Sequence, residues 1–246
     1  MFLSLLPVDV GNDPDRPRPG RLWLRNVYHV HQRLCMAFPS AARKSDDPQF
    51  LKPYNADDFG SDEPNQVGVQ RRVDAGFLFR VDPLSGGRVV IVVQSAVKPD
   101  WGYAFANAGH LLAGPPEVSE FDPCAICCKG ARWRFRLRAN PTKKREEKRH
   151  ALRTTQEQED WLRRKAAAGG FEVLAFTASR EGSRTALKTD YDLPEPKTHR
   201  ISFFAVRFEG VLRVVDEQRF LESLCGGIGS AKGLGFGLLS LARVSQ

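Results

Sequence analysis

The sequence predicts an α+β protein built from two tandem β-α-β-β-α-β units with antiparallel sheets. Helical periodicity is confined to a few short segments, and alternating or apolar runs of strand length flank each of them. Turn signals rich in Gly, Pro and Asp join neighbouring strand runs, as in hairpins. The chain has 246 residues, which fits one large domain or two domains of roughly 100 to 120 residues each, and 41% of its residues are hydrophobic, enough to form a core. We expect the two domains to span residues 1–140 and 141–246.

The first half is expected to follow the order β-α-β-β, then a segment of unclear structure and a last strand. Apolar residues recur every three or four positions from Leu22 to Phe38, which predicts an amphipathic helix that ends before Pro39. The apolar N-terminus is interpreted as a strand rather than a signal peptide. The expected ranges are a strand at 1–9, a loop at 13–20, the helix at 22–38, an irregular excursion at 40–70, strands at 76–81 and 88–94, and an ambiguous segment at 97–129.

The segment from Arg132 to Arg138 predicts a strand with two chemically different faces. Its residues alternate with a period of two, so the arginines share one face while Trp133, Phe135 and Leu137 share the other. We assign this strand to the first domain, and the second domain has its full set of strands if part of residues 132–138 is shared or if a short strand is missed. Asn140-Pro141 ends the strand, and the basic residues 143–153 are expected to form a linker.

The second half is expected to contain helices at 155–168 and 216–225. Thr155 and Asp216 are the expected N-caps, and Gly169-Gly170 ends the first of these helices. Residues 179–198 are expected to form a basic loop or an extended hairpin. The expected strands are 171–177, 201–208, 211–215 and 238–244, with a turn at Glu209-Gly210 and a glycine-rich loop at 226–237.

Basic charge is concentrated in one stretch of the chain. The formal net charge is +8, and residues 132–153 contain ten basic and two acidic side chains. The remainder is balanced, with 27 basic and 27 acidic residues. Such a concentration is typical of a surface that binds a polyanion, although a solvated charged face gives the same composition.

Cysteine content and hydropathy restrict the location of the protein. No apolar run reaches the ~18 residues that a membrane-spanning helix needs. Five unevenly spaced cysteines do not form a disulfide framework, which favours a reducing, cytoplasmic compartment. The motif Cys124-Ala-Ile-Cys127-Cys128 lacks the second ligand pair that a structural zinc site needs. We therefore expect buried or incidental thiols and no bound metal.

Residues 226–237 contain six glycines around Lys232. Glycines allow backbone N–H groups to approach a phosphate without obstruction by side chains. The segment is not a Walker motif, because Gly233 follows Lys232, and it is not a dinucleotide fingerprint, because it follows a helix and precedes a strand. A flexible connection with tight backbone packing is the alternative interpretation.

Tyr28 and His31 are three residues apart on the first predicted helix, so they share a face, whereas His29 points elsewhere. A histidine beside a phenol is a candidate acid–base pair. On spacing alone, a structural role is the more frequent outcome for such a pair.

Three motifs together resemble the CasE family of CRISPR repeat endoribonucleases, which are subunits of the bacterial Cascade complex. They are Tyr28-x-x-His31, the RWRFRLRANPTK strand and the terminal GIGSAKGLGFGLLSL segment. The resemblance extends over the whole chain and implies two ferredoxin-like (RRM-like) domains whose sheets face a basic groove. It also implies an enzyme without metal or other cofactor that cleaves precursor CRISPR RNA at the base of the repeat hairpin. Such an enzyme remains bound to the mature crRNA together with the other Cascade subunits.

The resemblance also implies a role for particular residues. Cleavage by the ribose 2′-OH, which gives a 2′,3′-cyclic phosphate and a 5′-OH, needs a proton acceptor, a proton donor and positive charge at the phosphate. His31 matches the family's catalytic histidine and Tyr28 its tyrosine, and Lys232 is the candidate for the positive charge. The candidate RNA-binding residues are Arg132, Arg134, Arg136, Arg138, Lys143, Lys144, Arg180, Arg184, Lys188, Gly227, Gly229, Gly235 and Gly237.

Two functions of other classes remain open. A non-catalytic module that binds an RNA hairpin would keep the same fold and the basic surface without needing Tyr28 and His31. A nucleotide-dependent enzyme would use the glycine-rich loop and a metal, but the sequence shows no acidic cluster suited to magnesium.

Overall fold

The computed structural model describes residues 1–13, 15, 18–39, 76–146, 148–190 and 197–244. The predicted excursion at 40–70 lies outside the described residues. In chain order the elements are β1 (Phe2–Val8), α1 (Pro19–Leu24), α2 (Val27–Cys35), β2 (Phe77–Pro83), β3 (Val89–Ser95), α3 (Trp101–Ala104), β4 (Glu117–Glu120), β5 (Arg132–Ala139), β6 (Thr142–Arg145), β7 (Lys148–Ala151), α4 (Thr155–Ala168), β8 (Phe171–Asp190), β9 (Lys197–Val214), α5 (Glu217–Gly226) and β10 (Leu239–Arg243).

The strands form two four-stranded sheets with the same topology. The first sheet has the order β2-β3-β1-β4 and the second the order β10-β5-β9-β8, while β6 and β7 form a separate hairpin. The pairings β1–β3, β5–β9, β5–β10 and β8–β9 are antiparallel. In both sheets the first and third strands of a β-α-β-β-α-β unit lie in the centre, as in the ferredoxin-like fold. The predicted fold class of two tandem ferredoxin-like units is confirmed.

The chain divides into two compact units, and their limits differ from the predicted domain boundaries. The N-terminal unit contains residues 2–76 and 81–119, and the C-terminal unit contains residues 1, 77–80 and 120–246. The predicted boundary after residue 140 depends on assigning β5 to the first domain. In the structure β5 is a central strand of the second sheet. The N-terminal unit ends within the short strand β4 instead. All four residues of β4 are exposed, so this strand has no buried apolar face.

The predicted helix at 22–38 is two helices, α1 and α2, with a break at Arg25 and Asn26. Asn26 has an extended backbone, and its side chain accepts a hydrogen bond from the Tyr28 N–H at 3.2 Å. Asparagine is a strong N-cap, so a new helix begins at this residue instead of the first one continuing. Helix α2 buries Val30, Leu34 and Cys35 in the N-terminal unit.

The C-terminal unit has its core between one face of the second sheet and helices α4 and α5. Phe135 and Leu137 of β5 are buried in this core, as their alternation with arginine predicts. The Trp161 ring of α4 stacks on Phe208 of β9, with ring centroids 6.0 Å apart. The arginines of β5 therefore lie on the opposite face of the sheet, away from these helices.

Three predicted details of the C-terminal unit are wrong. The basic residues 143–153 are not a linker, because β6 and β7 pair in a hairpin that turns at Glu146. Glu209-Gly210 is not a turn but lies inside the continuous strand β9. The N-cap of α4 is Thr154, which forms a capping box with Glu157, and not Thr155. The extent of α4 and the Asp216 cap of α5 agree with the prediction.

Candidate functional site

Tyr28 and His31 lie on the same face of α2, as their spacing predicts. Their ring centroids are 6.4 Å apart and the ring planes are inclined by 30°. Both side chains are half-buried, whereas His29 is exposed. One turn further, the Sγ atom of the buried Cys35 lies 3.5 Å from His31 Nε2. A phenol and an imidazole are thus brought together on one partly exposed surface.

Helix α2 is fixed at both ends, which holds these two rings in place. At its start Asn26 caps the Tyr28 N–H. Near its end the Arg33 guanidinium donates from Nη1 to the Ala104 carbonyl at 3.0 Å and to Asn107 Oδ1 at 2.9 Å. Burial lowers the pKa of Arg33, because desolvation disfavours its charged form. Beyond the helix, the Asp100 N–H donates to the Ala37 carbonyl at 2.8 Å.

Lys232 lies in the glycine-rich loop and caps the preceding helix. Its Nζ donates to the Gly226 carbonyl, the last residue of α5, at 2.6 Å. Cations are favourable at this end of a helix, where carbonyl groups lack partners. Burial, followed by the nearby Lys165, lowers the pKa of Lys232. Lys232 is therefore a partly buried cation that already has a contact within its own unit.

The predicted RNA-binding glycines have structural roles in this loop. Gly227, Gly229, Gly235 and Gly237 have positive φ angles. A Cβ atom would lie 2.8 Å from Leu78 Cδ1 at Gly227, 3.0 Å from Trp161 Cζ2 at Gly229 and 2.9 Å from the Ile228 carbonyl at Gly237. The Gly237 N–H donates to the Arg138 carbonyl at 2.8 Å, so that amide is engaged within the unit. Tight backbone packing, the alternative interpretation, is present at Gly227, Gly229 and Gly237, and contact of the four glycines with RNA stays a prediction.

The four predicted arginines of β5 fall into two pairs. Arg132 and Arg134 are exposed. Arg136 donates from Nε to Glu209 Oε1 at 2.6 Å, and Arg138 is only 5% exposed. Both Nε and Nη2 of Arg138 contact the Glu181 carboxylate, the second at 3.1 Å. Part of the predicted RNA-binding row is thus committed to ion pairs within the protein.

A cavity of about 540 Å³ opens on this arginine face within the C-terminal unit. Its lining includes Arg134, Arg136 and Glu209 together with Arg80 and Ser240. The buried Arg80 donates from Nη1 to Ser240 Oγ at 2.9 Å. The glutamate and the serine take part of the hydrogen-bonding capacity of these arginines, and the rest of the lining includes the apolar residues Phe135, Val211 and Leu241, so the cavity is not purely cationic.

The remaining predicted basic residues lie on two hairpins of the C-terminal unit. Lys143 and Lys144 are exposed on β6. Arg184 and Lys188 lie on one face of the β8–β9 hairpin, since they are four residues apart on a strand. Arg180 reaches Thr155 at the start of α4, with Nη2 and Oγ1 3.3 Å apart.

The structure adds basic side chains that the sequence analysis missed. They are exposed on the partner strands of the same two hairpins, and they are Arg149, His150, Lys197, His199 and Arg200. Cross-strand pairing identifies these residues, because it aligns Lys188 with His199 and Lys144 with Arg149.

The predicted site residues are divided between the two units. Tyr28 and His31 belong to the N-terminal unit, whereas Lys232 and the predicted arginines and lysines belong to the C-terminal unit.

The five cysteines are free thiols. Cys35 and Cys127 are buried and the other three are exposed. Burial, with further contributions from neighbouring cysteines and Asp122, raises the pKa of Cys127 to about 11. In the described ranges, no group of three or more His, Cys, Asp and Glu side chains is arranged to hold a metal ion. Within the same ranges no helix is long and apolar enough to cross a membrane.

Comparisons with known proteins agree on one family. The family model described as "CRISPR associated protein" matches residues 1–243. A curated relative from Thermus thermophilus, the CRISPR-associated endoribonuclease Cse3, is 36% identical over 187 residues, which are 71% of this chain and 84% of the relative. A solved structure of CRISPR endoribonuclease Cse3 bound to a 19-nucleotide RNA matches with a TM-score of 0.67 and 30% identity, covering 99% of this chain and 100% of the other.

A second solved structure, Thermus thermophilus Cse3 bound to an RNA that represents a pre-cleavage complex, matches with a TM-score of 0.64 and 28% identity. It covers 99% of this chain and 100% of the other. The family model and the two solved structures match over both units, and the range of the family model includes the segments that carry Tyr28, His31 and the arginine strand. The chain belongs to the family of CRISPR-associated proteins that includes the endoribonuclease Cse3.

Proposed function

We propose that this chain is a metal-independent endoribonuclease that binds the hairpin of a CRISPR repeat and cleaves precursor CRISPR RNA. The observation that carries the proposal is the Tyr28–His31 pair on a helix fixed at both ends. Its support is membership of a family in which a 36% identical relative is named an endoribonuclease and related structures contain RNA.

In the proposed reaction, the ribose 2′-OH next to the scissile bond attacks the phosphorus. The 2′-OH gives up its proton to one ring, and the 5′-oxygen leaves with a proton from the other, so the products are a 2′,3′-cyclic phosphate and a 5′-OH. His31 and Tyr28 are the two proton-transfer groups. Each group has to come within about 3 Å of its oxygen, and two half-buried rings on one helix face are suited to this.

The phosphate needs a cation, because negative charge builds up on its oxygens during attack. Lys232 is the candidate, and it would exchange its contact with the Gly226 carbonyl for a phosphate oxygen. A compact ammonium on a flexible stem suits a single oxygen atom better than a planar guanidinium does.

The RNA stem is bound through its backbone. An A-form helix has a major groove too deep to read and presents phosphates and 2′-hydroxyls instead. The exposed basic residues on the two hairpins of the C-terminal unit are the candidates for these contacts. Their number implies that affinity decreases steeply with salt, because binding releases counterions.

The test is incubation of the purified protein with labelled repeat RNA in EDTA, followed by analysis of the product ends. We expect cleavage in EDTA and a 2′,3′-cyclic phosphate on the 5′ fragment. RNA with a single 2′-deoxy nucleotide at the cleavage site should bind normally and remain intact. Cleavage of that substrate, or cleavage only with added metal, would contradict the mechanism. Binding without any cleavage would favour the non-catalytic hairpin-binding module.

We also propose that the protein stays bound to its product and joins the other Cascade subunits in the cytoplasm. Product retention follows if the basic hairpins hold the stem, because cleavage at its base leaves those contacts intact. Co-purification of the chain with crRNA and the other subunits tests this. Release of the product hairpin at the rate of cleavage would contradict it.

A further inference from the structure

The β8–β9 hairpin leaves the second sheet at a defined point. Strand β5 pairs with β9 only as far as Ala139 opposite Val206. Beyond that pair only β8 and β9 continue, as a two-stranded segment of residues 182–190 and 197–205 that we call the ribbon. The ribbon carries Arg184 and Lys188, two of the candidate RNA contacts. Its direction relative to the sheet therefore determines where these cations lie.

A β-bulge occurs where the ribbon begins. The pairing register shifts between Arg180 and Gly182, so Glu181 is an extra residue on β8 without a direct partner on β9. Gly182 has a φ of 79°, a conformation that favours glycine. Bulges bend a strand, increase its twist and redirect a side chain. Here the redirected side chain is the Glu181 carboxylate.

The Glu181 carboxylate returns to the sheet and pairs with Arg138 of β5. Both guanidinium nitrogens Nε and Nη2 contact it, and the side chains of Arg138 and Glu181 are 6% and 13% exposed. A bidentate arginine–carboxylate pair of this kind, with two parallel hydrogen bonds, has a fixed geometry as well as a favourable energy. The pair joins the bulge to the neighbouring strand across a sequence separation of 43 residues.

The pair also resolves a repulsion that the sheet itself creates. Arg138 lies directly opposite Arg207 on β9, and like charges at such positions are destabilising. Glu181 Oε1 lies 3.7 Å from Arg207 Nε, and Glu209 Oε2 lies 3.3 Å from the same atom. The Glu181 carboxylate is thus the shared counterion of two opposed arginines, which fixes its position and with it the bulge.

We infer that Glu181 and Arg138 are positioning residues, which set the direction in which the ribbon leaves the sheet and hence the placement of Arg184 and Lys188 on RNA. Arg138 then acts through Glu181 and is not itself an RNA contact. The inference deepens the proposed function and rests on it. Loss of Glu181 removes a carboxylate from the buried Arg138 guanidinium, and loss of Arg138 leaves Glu181 with Arg207 at 3.7 Å, so in either case the bulge has to rearrange.

The test compares Glu181→Gln with Glu172→Gln. Glu172 pairs with Arg213 at 2.6 Å on the same two strands, at the other end of the ladder, but both side chains are well exposed. This makes it a matched control for the loss of one carboxylate. Amide hydrogen exchange without RNA, read at residues 183–189 and 198–204, reports on the ribbon directly. Single-turnover cleavage at increasing protein concentration separates half-saturation from maximal rate.

We expect Glu181→Gln to speed exchange in the ribbon and to raise the half-saturating protein concentration by about tenfold, because the ribbon then has to be ordered on binding. The maximal rate should stay within about twofold, since the proton-transfer pair lies on α2. The salt dependence of binding should keep its slope, whereas loss of a direct phosphate contact lowers the slope by about one. Glu172→Gln should change none of these quantities.

Equal behaviour of Glu181→Gln and Glu172→Gln would overturn the inference, as would faster exchange with unchanged half-saturation. If Glu181→Gln does not fold, Arg138→Lys provides the same test, because lysine keeps the positive charge but cannot form the bidentate contact with the Glu181 carboxylate. The exchange measurement needs no RNA, so it tests the Glu181–Arg138 contact even if the wild-type protein neither binds nor cleaves repeat RNA. That last result would reject the proposed function and, with it, the functional half of the inference.

Discussion

The two units share one topology and differ in the hairpin between the second and third strands. In the N-terminal sheet this hairpin joins two seven-residue strands, β2 and β3, through a short turn at Ser85–Gly87. In the C-terminal sheet the equivalent strands have 20 and 18 residues and extend past the sheet as the ribbon. The ferredoxin-like order of strands is therefore compatible with either a compact edge or a long basic projection.

The units also differ in how their candidate functional groups are held. Tyr28 and His31 are half-buried on a capped helix, whereas Lys143, Lys144 and Arg184 of the C-terminal unit are exposed on hairpins. Proton transfer depends on individual side chains in fixed positions, whereas binding of the RNA backbone is shared among many charges. We therefore expect single substitutions to have large effects on cleavage rate in the N-terminal unit and modest effects on RNA affinity in the C-terminal unit.

The largest effect is expected for His31→Ala. We predict a decrease of about 10²-fold or more in the single-turnover rate at saturating protein, because a positioned acid or base contributes 10²–10⁴. Hairpin affinity should change little, since binding is assigned to the other unit. His29→Ala, two residues away and exposed, is the control and should be mild. A wild-type rate for His31→Ala would show that the proton-transfer assignment is wrong.

The second effect concerns the ribbon. We predict that combined Arg184→Ala and Lys188→Ala weakens hairpin binding by roughly tenfold or more and lowers the slope of log K against log salt by about two, because two phosphate contacts are lost. The maximal cleavage rate should remain nearly unchanged. Arg88→Ala removes an exposed charge from the short N-terminal hairpin and serves as the control. An equal loss of affinity for Arg88→Ala would mean that the two hairpins do not differ in their contribution to RNA binding.

Short-range sequence patterns correctly predicted the elements whose structure depends on residues close in sequence. The alternation from Arg132 to Arg138 identified both faces of β5, and the helix at 155–168 has the predicted limits. The predicted Asp216 cap is also present, because its oxygen accepts from the Arg219 N–H three residues away. In the candidate site, the common face of Tyr28 and His31 follows from helical spacing alone.

The features that the sequence did not predict depend on contacts between residues far apart in the chain. Glu209-Gly210 looks like a turn, but Gly210 is paired with Phe176 of β8, next to a second bulge between Val173 and Ala175. The Ala175 carbonyl leaves no room for a side chain at Gly210. Strand β4 is recognisable only through its pairing, since it buries nothing. The ion pair of Arg138 with Glu181 connects segments that no spacing rule relates. An arginine in a basic row looks the same in sequence whether it contacts RNA or protein.

Lys232 is expected to have an intermediate effect on both properties. We predict that Lys232→Ala weakens hairpin binding and single-turnover cleavage, each by several fold, and that Lys232→Arg restores binding better than rate, because a bulkier guanidinium displaces the phosphate. Thermal unfolding of both variants has to be measured in parallel, since Lys232 also caps α5. An unchanged maximal rate for Lys232→Ala would limit the lysine to docking or to capping.

The pH dependence of binding provides an independent check on Lys232. Because burial and Lys165 lower its pKa, Lys232 loses its proton at a lower pH than an exposed lysine. As pH rises into the alkaline range, wild-type affinity should therefore decrease before that of Lys232→Arg, whose guanidinium stays charged. Parallel curves for the two proteins would mean that the Lys232 charge does not contribute to binding.

The smallest effect compares the caps of one helix in each unit. Asn26 caps α2 and Thr154 caps α4, and each accepts a backbone N–H in the first turn of its helix. Asn26→Ala and Thr154→Ala should each lower the free energy of unfolding by about 1 kcal/mol. Their effects on cleavage should differ, because the N–H that Asn26 accepts is that of Tyr28. We expect a decrease of a few fold in maximal rate for Asn26→Ala only, measured where both variants are fully folded. A matching decrease for Thr154→Ala would mean that the rate follows overall stability and not the placement of the Tyr28 ring.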